Sequence, residues 1–101
     1  MFDLDFIEKA TQGSSVSSPE KNFSSFSTDN RDPEINGSLF IPLVGEQHDA
    51  HRFVKKALEQ GAAGTLYHQW DESWDELKDK KTFIKVNDTL KALQDFAKAW
   101  R

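Results

Sequence analysis

The stretch LFIPLVGEQHDAHRFVKKALEQGAAGTLYH, Leu39 to His68, restricts the possible folds of this chain more than any other. Leu39 to Val44 is a short continuous apolar run, the pattern of a strand buried on both faces, although Pro42 removes one ladder donor and points to an edge or a bulge. From Asp49 to Gln60 the apolar residues Phe53, Val54, Ala57 and Leu58 recur at helical spacing, with Asp49 placed to cap the helix and Gly61 to close it. GTLYH then reads as a second buried strand. Strand, helix and strand in that order make a right-handed βαβ unit, so the sheet is expected to be mainly parallel.

The flanking segments extend this unit. FDLDFIEKATQG reads as an opening helix, capped by Asp3 and ended by Gly13, with Phe6, Ile7 and Ala10 on its buried stripe. The Ser-rich SSVSSPEKN has no period and is expected to be a surface connection. FSSFST is a strand candidate whose two Phe, three apart, break strict alternation, and DNRDPEINGS is a turn-rich loop. QWDESWDELKDKK is expected to form a short helix or irregular crossover laid over the sheet by its Trp side chains, and TFIKV alternates as a third strand. NDTLKALQDFAKAWR predicts a closing helix capped by Asp88, with Leu90, Leu93, Ala97 and Trp100 along one face. That helix has no Gly, Asn or Pro to stop it, so the natural chain is expected to continue. The expected fold is a small three-layer α/β domain, one unit over residues 1–101, with three to four mainly parallel strands and flanking helices.

Composition narrows the function. A net charge of -4 and a pI near 5.3 give no general attraction for nucleic acid. The absence of Cys removes disulfides and thiolate zinc sites, and no apolar run approaches the roughly 18 residues that cross a bilayer. MFDLDFIEKA carries acids where a signal peptide is basic, so a soluble, cytoplasmic protein is the expectation.

Four segments in order, STDNR, NGSLFIPLV, GEQHDAHRF and NDTLKALQ, resemble motifs of the N-terminal domain of the Mur ligases of peptidoglycan synthesis, the MurF type above all. The resemblance runs from about Ser27 to the end and more loosely through the opening helix. Asn30, Asn36, Ser38 and Ala50 stand where the family usually has Ser, Pro, Asp and Gly. It implies a domain that binds the uridine diphosphate end of a UDP-N-acetylmuramoyl-peptide. In the full-length ligase a central domain uses ATP and Mg2+ to turn the peptide carboxylate into an acyl phosphate, which the amine of D-alanyl-D-alanine attacks. None of the five Gly begins a G-x-x-x-x-G-K-[ST] P-loop, so the ATP-binding and C-terminal domains are expected to lie outside this chain, which alone is not catalytic.

The residues the resemblance marks for UDP are Thr28, Asp29, Asn30 and Arg31 in a turn, and Gly45, Glu46, Gln47 and His48 in a loop entering a helix. By chemistry the first is either a ligand cradle or an ordinary Asx turn with Arg31 paired to an acid. The second leads to a helix N-terminus, where anions are favoured, with Asp49 expected to be structural. A metal site at His48, Asp49 and His51 lacks a completing ligand and is set aside, and His68 reads as a packed residue. Two alternatives to the MurF reading stay open: a MurE-type domain, from a ligase adding the third amino acid, and a free-standing interaction domain of the same fold.

Overall fold

The computed structural model describes residues 2–44 and 49–100. Among the described residues seven strands and three α-helices follow in chain order: β1 (Phe2–Asp3), α1 (Leu4–Thr11), β2 (Ser14–Ser17), β3 (Asn22–Phe23), β4 (Phe26–Ser27), β5 (Leu39–Phe40), α2 (Val54–Glu59), β6 (Gly64–Tyr67), β7 (Thr82–Lys85) and α3 (Thr89–Trp100). Two 3-10 turns, Ala50–Phe53 and Glu72–Leu77, precede α2 and fill the β6 to β7 crossover. The main sheet has the order β2-β7-β6-β5-β4, in which β4 to β7 are parallel and β2 is antiparallel to β7. β1 and β3 form a separate antiparallel pair.

Alternation along the parallel strands builds two cores. Leu39, Ile41, Leu66 and Ile84 point to the side where α1 and α3 bring Ile7, Ala92 and Phe96. Phe40, Tyr67 and Phe83 point to the other side, against Val54, Ala57 and Leu58 of α2 and Trp74 of the second 3-10 turn. Because both faces are covered, these strands read as unbroken apolar runs, as parallel strands do. Each of the largest side chains, Trp74, Phe83 and Phe96, is almost wholly buried, and removing one such ring costs about 3–5 kcal/mol.

Several local expectations shift. The parallel sheet gains a fifth strand from the Ser-rich segment expected to be a surface connection: β2 sits at an edge, where pairing with β7 requires no apolar pattern, and Val16 faces outward. Of the run at 39–44, Leu39 and Phe40 form the strand, so the strand is central yet Pro42 falls beyond its ladder. The helix expected over 49–60 begins as a 3-10 turn and becomes α only at Val54.

Helix ends shift for steric reasons. α1 starts as expected, with the Asp3 side chain accepting the Phe6 N–H, but its left-handed terminal residue is Gln12, φ 59°, in place of Gly13. Gly13 serves close packing: a Cβ there would stand 2.7 Å from Ile84 Cγ2. At the end of α2, Gly61 does occupy the left-handed region, φ 115°, and its carbonyl accepts the Gly37 N–H at 2.8 Å, tying this helix end to the turn before β5. On α3, Asp88 caps by accepting from Leu90 N–H and Lys91 N–H at 2.9 and 3.1 Å. The buried stripe is Ala92 and Phe96 with Leu93 beside them, whereas Leu90, expected on that stripe, is exposed at the sheet's end. The expectation for the Trp100 side chain lies outside what is described.

Candidate functional site

Four parallel strands end on the same edge, and in open α/β sheets ligands bind outside those carboxyl ends. Here the edge gathers the turn after β4, residues 41–44 after β5, His68 after β6, and Asn87 with Asp88 after β7. Chemistry at this edge is polar, because every strand must hand its backbone to a loop there.

The turn after β4 is built on two acids. Ser27, buried at the strand's end, has its hydroxyl 3.0 Å from both the Asp32 carboxylate and the Asp29 carbonyl, and accepts the Asp29 N–H. Asp29 in turn accepts the Arg31 N–H at 2.8 Å, closing an Asx turn, and its two oxygens accept from Arg31 Nε and Nη2 at 3.2 Å each. This fork-to-carboxylate bonding holds the Asp29 carboxyl below its ordinary range and raises the Arg31 guanidinium. Of the four marked residues, Thr28, Asp29 and Arg31 are exposed and Asn30 is buried. Arg31 is thus both paired, as an ordinary Asx turn has it, and open to a ligand.

The second marked segment, Gly45, Glu46, Gln47 and His48, lies outside the described residues. Its flanks are described: Val44 and Asp49 pair in an isolated antiparallel bridge. Asp49 is structural as expected, accepting the His51 N–H at 2.9 Å at the head of the 3-10 turn.

His51 is the residue that sequence reasoning underrated. It is 8% exposed, its Nδ1 lies 2.7 Å from Asp49 Oδ1, and its Nε2 lies 3.1 Å from the His68 backbone nitrogen. A backbone N–H can only donate, so Nε2 must be the unprotonated acceptor and the ring proton sits on Nδ1, facing the carboxylate. Burial holds the ring below its ordinary pKa of 6.5, opposed by Asp49 and assisted by the His68 ring edge-on at 4.4 Å. Burial pushes the Asp49 carboxyl upward, but the bonds from His51 outweigh it and leave the group lowered. His51 therefore fastens the head of the 3-10 turn to the end of β6. The signal for this in the sequence was the D-x-H spacing alone, which names one partner and not the distant one.

Two hollows flank His51 and His68. One, of 630 Å³, is lined by Asp49, His51, Arg52, Gln69, Trp70, Asp71 and Glu72. The other, of 270 Å³, is lined by Val44, His68 and the residues Asn87 to Leu90 at the head of α3. The His68 Nδ1 atom is buried and, among the described residues, has no hydrogen-bond partner. Among the described residues no group of three or more His, Cys, Asp or Glu could hold a metal ion, and no helix is long and apolar enough to cross a membrane.

No family model matches the chain. It is 47% identical, over 72% of its length, to a UDP-N-acetylmuramoyl-tripeptide--D-alanyl-D-alanine ligase of Bacillus subtilis. It is 36% identical over 96% of its length to the ligase of that name in Treponema pallidum. A 2,6-diaminopimelate-adding relative from Chlorobium phaeobacteroides is 43% identical over 59% of the chain. The chain spans only 15% and 22% of the first two relatives' own lengths. Among solved structures, MurF from Acinetobacter baumannii superposes over 97% of the chain and 20% of its own with a TM-score of 0.79 at 24% identity, which speaks for the fold. Fold and sequence together place the chain as a Mur ligase segment, matching the N-terminal region of that family.

Proposed function

We propose that residues 1–101 form the UDP-substrate-binding domain of a larger, cytoplasmic MurF-type ligase that joins D-alanyl-D-alanine to a UDP-N-acetylmuramoyl-tripeptide in cell-wall synthesis. The observation that carries this reading is the Thr28–Arg31 turn at the carboxyl end of β4, in a chain whose relatives bear that ligase's name. An exposed Asp–Arg pair is worth little in water, so a diphosphate can take over the Arg31 fork at small cost. Gly45, Glu46, Gln47 and His48, marked by the same resemblance and flanked by the bridged residues Val44 and Asp49, complete the set of residues assigned to the ligand, with Asn30 buried in the first turn.

ATP and Mg2+, on which the Mur ligases depend, meet no P-loop in these 101 residues and no acidic metal cluster among the described ones, so no step of phosphoryl transfer is assigned to this chain. Its part is positioning: binding energy gained at the remote uridine diphosphate end aligns the peptide carboxylate with machinery carried by the domains that complete the ligase. The MurE-type reading keeps the same cradle and differs in the amino acid added, which substrate assays on the full-length ligase separate.

The test is an NMR titration of the labelled chain with UDP and with UDP-N-acetylmuramoyl-tripeptide. Amide shifts concentrated at Thr28 to Arg31 and Gly45 to His48 are expected. Absence of shifts at both segments with about millimolar ligand, the range of weak single-domain binding, overturns independent recognition.

A further inference from the structure

We propose that His51 is a pH-sensitive latch: with its single proton on Nδ1 the ring joins Asp49 to the main chain of His68, and protonation at Nε2 releases the His68 end. The geometry leaves no other outcome for the second proton. Nε2 accepts the His68 N–H at 3.1 Å, and once protonated it becomes a donor aimed at a donor. The Asp49 end behaves in the opposite sense, because the 2.7 Å contact becomes a charge-assisted bond to an imidazolium. Acid therefore tightens the bond within the 49–53 turn and breaks its bond to β6.

The groups that face the ring set the balance. On its own turn these are the Asp49 carboxylate, in contact, and Arg52, which lines the same hollow. From the end of β6 comes the His68 ring, edge-on. From the crossover come Asp71 and Glu72 at the hollow's rim and the Trp74 ring, stacked at 6.3 Å. α2 and the crossover also contribute Lys55 and Glu76, which neutralise each other at 2.8 Å. Burial and the His68 ring oppose the charged form and Asp49 favours it, and the net position is below 6.5. The latch is thus closed at neutral pH and opens only as pH falls below the ordinary imidazole value of 6.5, whatever binds at this end of the sheet.

Imidazole nitrogen shifts and the His68 amide, followed through a pH titration of the 101-residue chain, test it. At pH about 8 His51 is expected to show a protonated Nδ1 and a bare Nε2, and to titrate with a midpoint below 6.5. The His68 amide should shift with that same midpoint and lose about tenfold in exchange protection, the worth of one hydrogen bond. In His68→Gln, which keeps the backbone N–H and removes the neighbouring ring, the amide response should persist. In His51→Gln it should vanish. An Nε2–H tautomer, a midpoint at or above 6.5, or a His68 amide response that survives His51→Gln overturns the latch; the titrations of the native chain and of His68→Gln decide it even if His51→Gln does not fold.

Discussion

The turns at Asp29 and at Asp49 are built from one piece of local chemistry and end with different properties. In each, an Asp side chain accepts the N–H of the residue two positions on, at 2.8 Å from Arg31 and 2.9 Å from His51, and then binds that residue's side chain. The Arg31 side chain is 83% exposed, whereas that of His51 is 10% exposed. Water competes with every bond of the first pair, so it holds little energy and can be exchanged for a ligand. In the second pair the His51 ring is shielded while Asp49 stays half exposed, and the ring has a third partner, the His68 N–H, so it holds two chain segments together and cannot be withdrawn without leaving a part-buried donor unmet. Local sequence sets the motif, and burial decides whether it stays open to solvent or clamps two segments together.

The sharpest way to break the contrast is His51→Ala, expected to destabilise the fold by about 1–3 kcal/mol because it orphans the His68 N–H, read by urea denaturation. Next comes acid. The folded His51 ring has a lower pKa than the unfolded one, so its full stability contribution is present above 6.5 and is lost as pH falls from there, levelling off below the folded midpoint. The slope should approach but not exceed about 1.4 kcal/mol per pH unit, and His51→Gln should flatten it. Acid acts on the Asp29 pair only lower: its carboxyl is depressed, so that pair is intact above the ordinary value of 3.8 and is lost as pH falls through the folded value.

Asp49→Asn should cost less than His51→Ala, since an amide oxygen can still accept the His51 N–H, and should move the His51 midpoint further down by removing the charge that supports the imidazolium. Arg31→Ala should leave the denaturation midpoint unchanged while weakening UDP binding about tenfold, measured by calorimetry. A stability loss there equal to that of His51→Ala would erase the distinction between the two turns.

Much of the fold was legible because apolar runs and periodic spacing carry it: β5, α2, β6, β7 and α3 all lie where the patterns place them. β2 was not legible, since an edge strand of Ser residues with one outward Val is held by its partner's backbone and by Ser15 bonding Glu8, with no apolar pattern of its own. The α3 stripe was misplaced onto Leu90 because helical periodicity gives a spacing but not the rotation about the axis, which packing against α1 and the sheet fixes. Thr28 to Arg31 were found through resemblance to family motifs, while His68 and the head of α3 joined the same edge only through the parallel order of the strands.

The sequence by itself determined the layered α/β class, the helix caps at Asp3, Asp49 and Asp88, and both Asp-centred turns, because each depends on residues a few positions apart. Only the tertiary structure decided that the Arg31 side chain stays in water while the His51 ring is buried against the end of β6. Burial and the His68 N–H reach His51 from 17 residues away, and no local pattern encodes a partner at that distance.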